Sequence, residues 1–135
     1  MNTKTKRSAG PSSDSQIQWF SGGQAALASP AISISRDGRL RFNAALLQVH
    51  KLQVYQGVQL GYDPRGPRIL FRLVKTTAHP SLNLRTHDGG KVANAKSFFT
   101  QHALDLRKYA GRYKPTAVKA DGVTPTFAIS LRQRT

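Results

Sequence analysis

The sequence predicts an α+β, mainly β fold built from two ββαββ repeats, each with one short helix. Apolar and polar residues alternate with period two in short segments, turn signals separate these segments, and the order of segments recurs in the second half. With 135 residues, 39% of them hydrophobic, the chain can build one modest core. Residues 31–135 are therefore predicted to form a single domain of two repeats, over residues 31–75 and 82–132.

The first repeat is predicted to begin with a hairpin. Residues 32–35 alternate between isoleucine and serine, which is the period of a strand with one buried face. Asp37-Gly38 is a strong hairpin signal. Residues 39–42 alternate again, so both arginines of this strand lie on one face and both apolar residues on the other.

A helix and a second hairpin complete the first repeat. Asn43 is a typical N-cap, so we expect a helix over residues 44–52. A third strand beginning at Val58 and a fourth over residues 69–73 are joined by a turn at residues 63–67. The helix residues expected to face the core are Leu46, Leu47 and Val49.

The second repeat follows the same order of elements. Two fixed offsets support the repeat. Adding 51 to Asp37 gives Asp88, and adding 58 to Asp63 gives Asp121. The predicted elements are a strand of Leu82 and Leu84, a turn at residues 88–90, a strand over 91–93, a helix from Ala95 to about Tyr109 capped by Asn94, a strand over 116–119, a turn at 121–125, and a last strand with Phe127, Ile129 and Leu131.

Residues 1–30 are predicted to form a flexible basic arm. They are rich in Ser, Gly, Ala, Gln and Lys, a composition that disfavours a packed core. Trp19 and Phe20 stand out in this arm. They either dock on the domain, which is the favoured interpretation, or stack on a base.

The charge of the chain indicates a polyanionic partner. Twenty-one Lys and Arg residues stand against six acids, all of them Asp, which gives a net charge of +15. Such an excess attracts phosphate backbones and makes binding dependent on salt. A membrane surface is disfavoured as the partner, because the sequence offers neither a basic amphipathic helix nor a lipidation signal. The absence of cysteines and of a secretory signal predicts a cytoplasmic protein, with nucleoid association left open.

Basic residues in two regions are the candidates for nucleic-acid contact. Arg39 and Arg41 share a strand face with no acid on that strand, although an ordinary solvated face is the alternative. The stretch from Arg107 to Lys114 interleaves cations with two tyrosines, which either stack on bases or cover the core. The full set of candidates is Arg36, Arg39, Arg41, Arg85, Lys91, Arg107, Lys108, Arg112, Tyr113 and Lys114.

Neither a catalytic site nor a cofactor site is predicted. The four histidines are scattered without metal-ligand spacing, and the glycine pairs lack the frame of a nucleotide-binding loop. The aspartates lie mostly beside turn residues instead of clustering as metal-dependent nuclease chemistry requires. We therefore expect no enzyme activity, no metal, no cofactor and no small-molecule substrate.

The segment from Ile32 to Asn43 resembles the first part of the repeating unit in the AbrB and MraZ families, and Val58 to Leu73 is similar to its closing hairpin. The family's proline at the start of the helix is absent, with Asn43 and Asn94 in its place. The resemblance implies one pseudo-symmetric swapped-hairpin barrel with two short helices. It also implies DNA contact near the start of each unit, at Arg36, Arg39, Arg41, Arg85 and Lys91.

Charge and resemblance together favour a bacterial DNA-binding regulator or architectural protein, with DNA favoured over RNA as the partner. The alternatives are a protein that binds RNA or single strands, including a ribosome-associated one, and an antitoxin-like module that binds another protein. The sequence leaves a homodimer open.

Overall fold

The structure is a computed structural model that describes residues 29–118 and 124–135. In this part of the chain the predicted mainly β fold is confirmed, as ten strands and three short helices. The elements are β1 (Ile32–Ile34), β2 (Arg39–Phe42), α1 (Ala44–His50), β3 (Gly57–Asp63), β4 (Arg68–Val74), β5 (Leu82–Asn83), β6 (Arg85–His87), β7 (Gly90–Asn94), α2 (Lys96–Gln101), α3 (Leu106–Tyr109), β8 (Gly111–Tyr113), β9 (Thr116–Val118) and β10 (Thr126–Ser130).

The strands form two five-stranded sheets in which every neighbouring pair is antiparallel. Sheet A has the order β6-β7-β2-β1-β8, and sheet B has the order β5-β3-β4-β10-β9. Their inner faces pack on one hydrophobic core, where the rings of Phe42 and Phe71 meet edge to face with centroids 5.7 Å apart. Because side chains alternate along a strand, the polar residues of both sheets point away from this core.

The first hairpin and helix form as the sequence predicts. Gly38 has φ 89°, and a Cβ there would lie 2.8 Å from the Cα of Lys96, so both conformation and space require glycine. Asn43 caps α1, since its Oδ1 accepts from Leu46 N at 2.9 Å. The same oxygen accepts from Ala31 N at 3.0 Å and thereby anchors the start of β1.

Two details of the first helix were predicted incorrectly. The helix ends at His50 instead of residue 52, because Lys51 adopts a left-handed conformation with φ 55°. Leu46 and Leu47 are buried as expected, but Val49 is 62% exposed. The helix is so short that its core-facing stripe is filled by its first residues and by Leu52, which follows it and is buried.

The second repeat departs further from prediction at its helix. In place of one helix over residues 95–109, α2 and α3 are separated by a turn in which Ala103 has φ 53°. Asp105 caps α3 by accepting from Arg107 N. Asn94 is not the N-cap of α2 but the last residue of β7, although its Oδ1 accepts from Lys96 N at 3.1 Å.

Strand pairing adds two features that local patterns do not reveal. The predicted strand of Leu82 and Leu84 divides into β5 in sheet B and β6 in sheet A, with Leu84 buried between them. The segment after α3 forms β8, which extends sheet A beside β1. The Asp88-Gly89 turn between β6 and β7 has two residues with positive φ, 48° and 80°, the geometry of a tight type I′ hairpin turn.

Some predictions concern residues outside the described part of the chain. These are the arm up to residue 28, with Trp19 and Phe20, and most of the turn at 121–125. Within the described ranges, no helix is long and apolar enough to cross a membrane.

Candidate nucleic-acid interface

A row of arginines crosses the outer face of sheet A. Strand pairing aligns Arg85, Val92, Arg41, Ser33 and Arg112 side by side, one residue from each of the five strands. Neighbouring strands lie ~4.8 Å apart, so the arginines recur every ~10 Å along a row ~19 Å wide. We call Arg85, Arg41 and Arg112 the arginine row.

A fourth arginine lies beside this row. Arg39 is two residues before Arg41 on β2 and therefore points to the same side, ~7 Å along the strand. Its Nε lies 3.5 Å from Oδ2 of Asp37, an acid that precedes the strand, with both side chains more than 60% exposed. A contact this exposed is weak. The pKa of Asp37 is lowered first by a hydrogen bond from the Ser35 hydroxyl and also by Arg39.

The arginines border an open cleft of about 770 Å³. Arg39, Arg41 and Arg85 line it together with His87. The guanidinium of Arg41 donates to the backbone oxygen of His87 at 3.4 Å, which links β2 to β6 across β7. Leu82 and Val92 add apolar surface, and none of the described residues that line the cleft is acidic. An anion entering the cleft would therefore meet cations without competition from carboxylates in its wall.

The remaining exposed candidates surround this face in two places. Arg36 lies in the exposed β1–β2 turn, next to Arg39. Arg107 and Lys108 are exposed on α3, where Arg107 pairs with Asp105 at 3.7 Å. Lys114 is exposed directly after β8. These last three residues lie in segments flanking β8, the edge strand that carries Arg112, so they extend the basic surface past the edge of sheet A.

Lys91 does not belong to this surface. It pairs opposite Phe42 and shares its inward orientation, with 7% of the residue exposed. Its ammonium donates to the backbone oxygens of Gln53 and Tyr55 at 2.7 and 2.5 Å, and burial lowers its pKa. Lys91 thus holds the segment after α1, and we propose no nucleic-acid contact for it.

Tyr113 is likewise a core residue. Its side chain is fully buried, and its hydroxyl donates to the backbone oxygen of Tyr109 at 2.5 Å. Burial is the main cause of its raised pKa. A ring in this position cannot stack on a base, so of the two interpretations of the tyrosines the structural one applies to Tyr113. Tyr109 is half-buried, and the Lys108 ammonium lies 5.3 Å from its ring centroid.

Sequence reasoning missed His87 and Asn94, which also line the cleft. Neither residue carries a local signal, because their position depends on the pairing of β7 with both β6 and β2. Asn94 lies directly opposite Arg39 in that pairing. An amide and a guanidinium side by side offer a larger set of hydrogen-bond donors than either arginine position predicted alone.

In the described ranges, no group of three or more His, Asp or Glu residues is placed to hold a metal ion. Comparison of the chain with protein-family models, with curated proteins and with solved structures found no match. The function must therefore be argued from the chemistry of this face.

Proposed function

We propose that the protein binds nucleic acid through its phosphate backbone, using the outer face of sheet A. The observation that carries the proposal is the alignment of Arg85, Arg41 and Arg112 across five strands, with Arg39 beside them. Guanidinium groups form charge-assisted, bidentate hydrogen bonds with phosphates. Since the strands hold the four side chains at fixed spacings, several phosphates can be bound at once with little ordering cost.

Duplex DNA is the favoured partner. Proteins that bind single strands present exposed aromatic rings on which bases stack. The described residues that line the cleft include no tyrosine, tryptophan or phenylalanine, and Tyr113 is in the core. The face is therefore better suited to a backbone than to splayed bases, which supports a DNA-binding regulator or architectural protein. RNA or single-strand binding, or an antitoxin-like protein partner, remains an alternative for the experiment below to decide.

We further infer that the domain is a tandem of two repeats related by a pseudo-twofold axis, as in a swapped-hairpin barrel of the AbrB and MraZ type. The pairing at the centre of each sheet supports this. Arg41 pairs with Val92, a residue 51 positions later, and Leu70 pairs with Ala128, a residue 58 positions later. These are the two offsets of the sequence repeat, so at each centre a residue lies opposite its own equivalent, as a twofold axis requires.

A salt titration tests the proposed function. Fluorescence anisotropy would measure the affinity of the protein for a duplex DNA, a single-stranded DNA and an RNA of equal length between about 50 and 300 mM salt. We expect the duplex to bind most tightly and every affinity to fall steeply as salt rises. Tighter binding of RNA or single strands would replace duplex DNA with that partner. No binding of any of the three at 50 mM salt would refute the proposal.

A further inference from the structure

The outer face of sheet B carries a second group of arginines. Arg68 and Arg72 lie on β4 with exposed side chains, and Arg65 lies in the turn before this strand. The residues that pair with β4 on this face are mostly small or neutral, for example Gly61 opposite Leu70. These three arginines are called the second basic group below.

One carboxylate faces the second basic group and neutralises only part of its charge. Asp63 lies 3.1 Å from Nε of Arg65 and 3.2 Å from Nε of Arg68. Hydrogen bonds from Arg65, followed by those from Arg68, hold the pKa of Asp63 at about 2, so it is ionised at neutral pH. Arg72 contacts the neutral amide of Gln59 at 3.4 Å. Three guanidiniums and one carboxylate leave two positive charges on this face.

The two basic faces point in opposite directions. Phe42 and Phe71 meet in the core, so alternation turns Arg41 away from the core on one side and Arg72 away on the other. Packed sheets lie ~10 Å apart, and the arginine side chains extend this separation to roughly 20 Å. A straight duplex that lies on one face cannot reach the other, and bending ~25 bp of DNA around the molecule would cost several kcal/mol.

We propose that the protein bridges two DNA duplexes, one on the outer face of sheet A and one on the second basic group. The inference rests on the proposed function, because it assigns a second duplex to a protein that binds a first. The face of sheet B carries less charge, so it is the weaker of the two sites, and its occupancy sets the salt concentration at which bridging stops.

Bridging can be measured with two short duplexes of ~20 bp, which resist bending. One duplex is attached to beads and the other is fluorescent, and the protein's ability to capture the second on the first is recorded. Arg68→Gln with Arg72→Gln removes charge from the second basic group only, whereas Asp63→Asn adds to it. Lys51→Gln with Lys96→Gln is the matched control, since it removes two charges from helical segments.

The wild type and the lysine control should capture the fluorescent duplex equally, within about twofold. The double arginine variant should lose at least ~10-fold in capture while its anisotropy-measured affinity for one duplex stays within about twofold, because two lost phosphate contacts weaken only the second site. Asp63→Asn should capture more duplex at higher salt. Capture by the double arginine variant at the wild-type level would overturn the inference, whether bridging then came from dimers or from the arm. Binding without any capture would overturn bridging alone, and no binding would overturn the proposed function itself.

Discussion

Replacing Arg41 and Arg85 with glutamine should weaken DNA binding in a way that the structure quantifies. Both residues belong to the arginine row on the outer face of sheet A. Each phosphate contact contributes ~0.9 to the slope of log affinity against log salt, so the loss of two contacts should lower the slope by ~1.8. The same relation, applied at ~0.15 M salt, gives an affinity loss of ~30-fold.

The fold should survive this double substitution. Arg85 is exposed, and the one hydrogen bond that the structure gives the side chain of Arg41, to the backbone oxygen of His87, is long at 3.4 Å. Glutamine keeps most of the aliphatic stem that covers the sheet. We therefore expect the free energy of unfolding to change by less than about 1 kcal/mol, so a loss of affinity reports the missing guanidiniums.

The assay is fluorescence anisotropy with one duplex at five or more salt concentrations. Lys51→Gln with Arg132→Gln removes the same charge from exposed positions outside the outer face of sheet A and serves as the control. The control should change the slope by less than half as much as the arginine variant. Equal changes in both variants would mean that net charge alone drives binding, and the reasoning from strand geometry would then fail.

Three further predictions concern residues outside the arginine row. Lys91→Met should lower the free energy of unfolding by about 2 kcal/mol, since two buried carbonyls lose a charged donor; duplex affinity of the folded variant should stay unchanged, whereas a drop would return Lys91 to the binding surface. Tyr113→Phe should cost about 1 kcal/mol in urea unfolding through the lost bond to Tyr109, with the salt slope unaltered, and a weaker binding of single strands without that cost would point to stacking. The pKa of Asp63 in the folded protein, about 2, is below its usual 3.8, so this carboxylate contributes stability above pH 4 that is lost as the pH falls through 2. Urea unfolding of Asp63→Asn between pH 5 and 2 should show a flatter dependence on pH than the wild type, and parallel curves would show that the arginine contacts of Asp63 do not form in solution.

The first repeat was predictable because its signals are local. Alternation identifies β2, Asp37-Gly38 identifies the turn before it, and Asn43 caps the helix through its own side chain. Each of these depends on interactions within a few residues of the chain. By contrast, Ala103 breaks the second predicted helix by adopting positive φ, although alanine favours helices. Tertiary packing imposes that conformation, and no local pattern reports it.

The composition of the binding face could be predicted only in part, for the same reason. Arg39 and Arg41 share a face by period two alone, so their common side was predicted. Arg85 and Arg112 join them through strand pairs between residues about 45 to 80 positions apart in the chain. Lys91 is as basic as its neighbours, but the register opposite Phe42 turns it inward. Charge type can be read from a sequence, whereas the side of the sheet depends on long-range register.

Mapping the contact surface by NMR tests the central claim most directly. Isotope-labelled protein would be titrated with a duplex DNA while backbone amide signals and arginine Nε–H signals are followed. The account predicts that the signals of Arg41, Arg85 and Arg112 shift most, together with amides of β2 and β6. Shifts confined to α2, to α3 or to residues 1–28, with the signals of these three arginines unchanged, would contradict it.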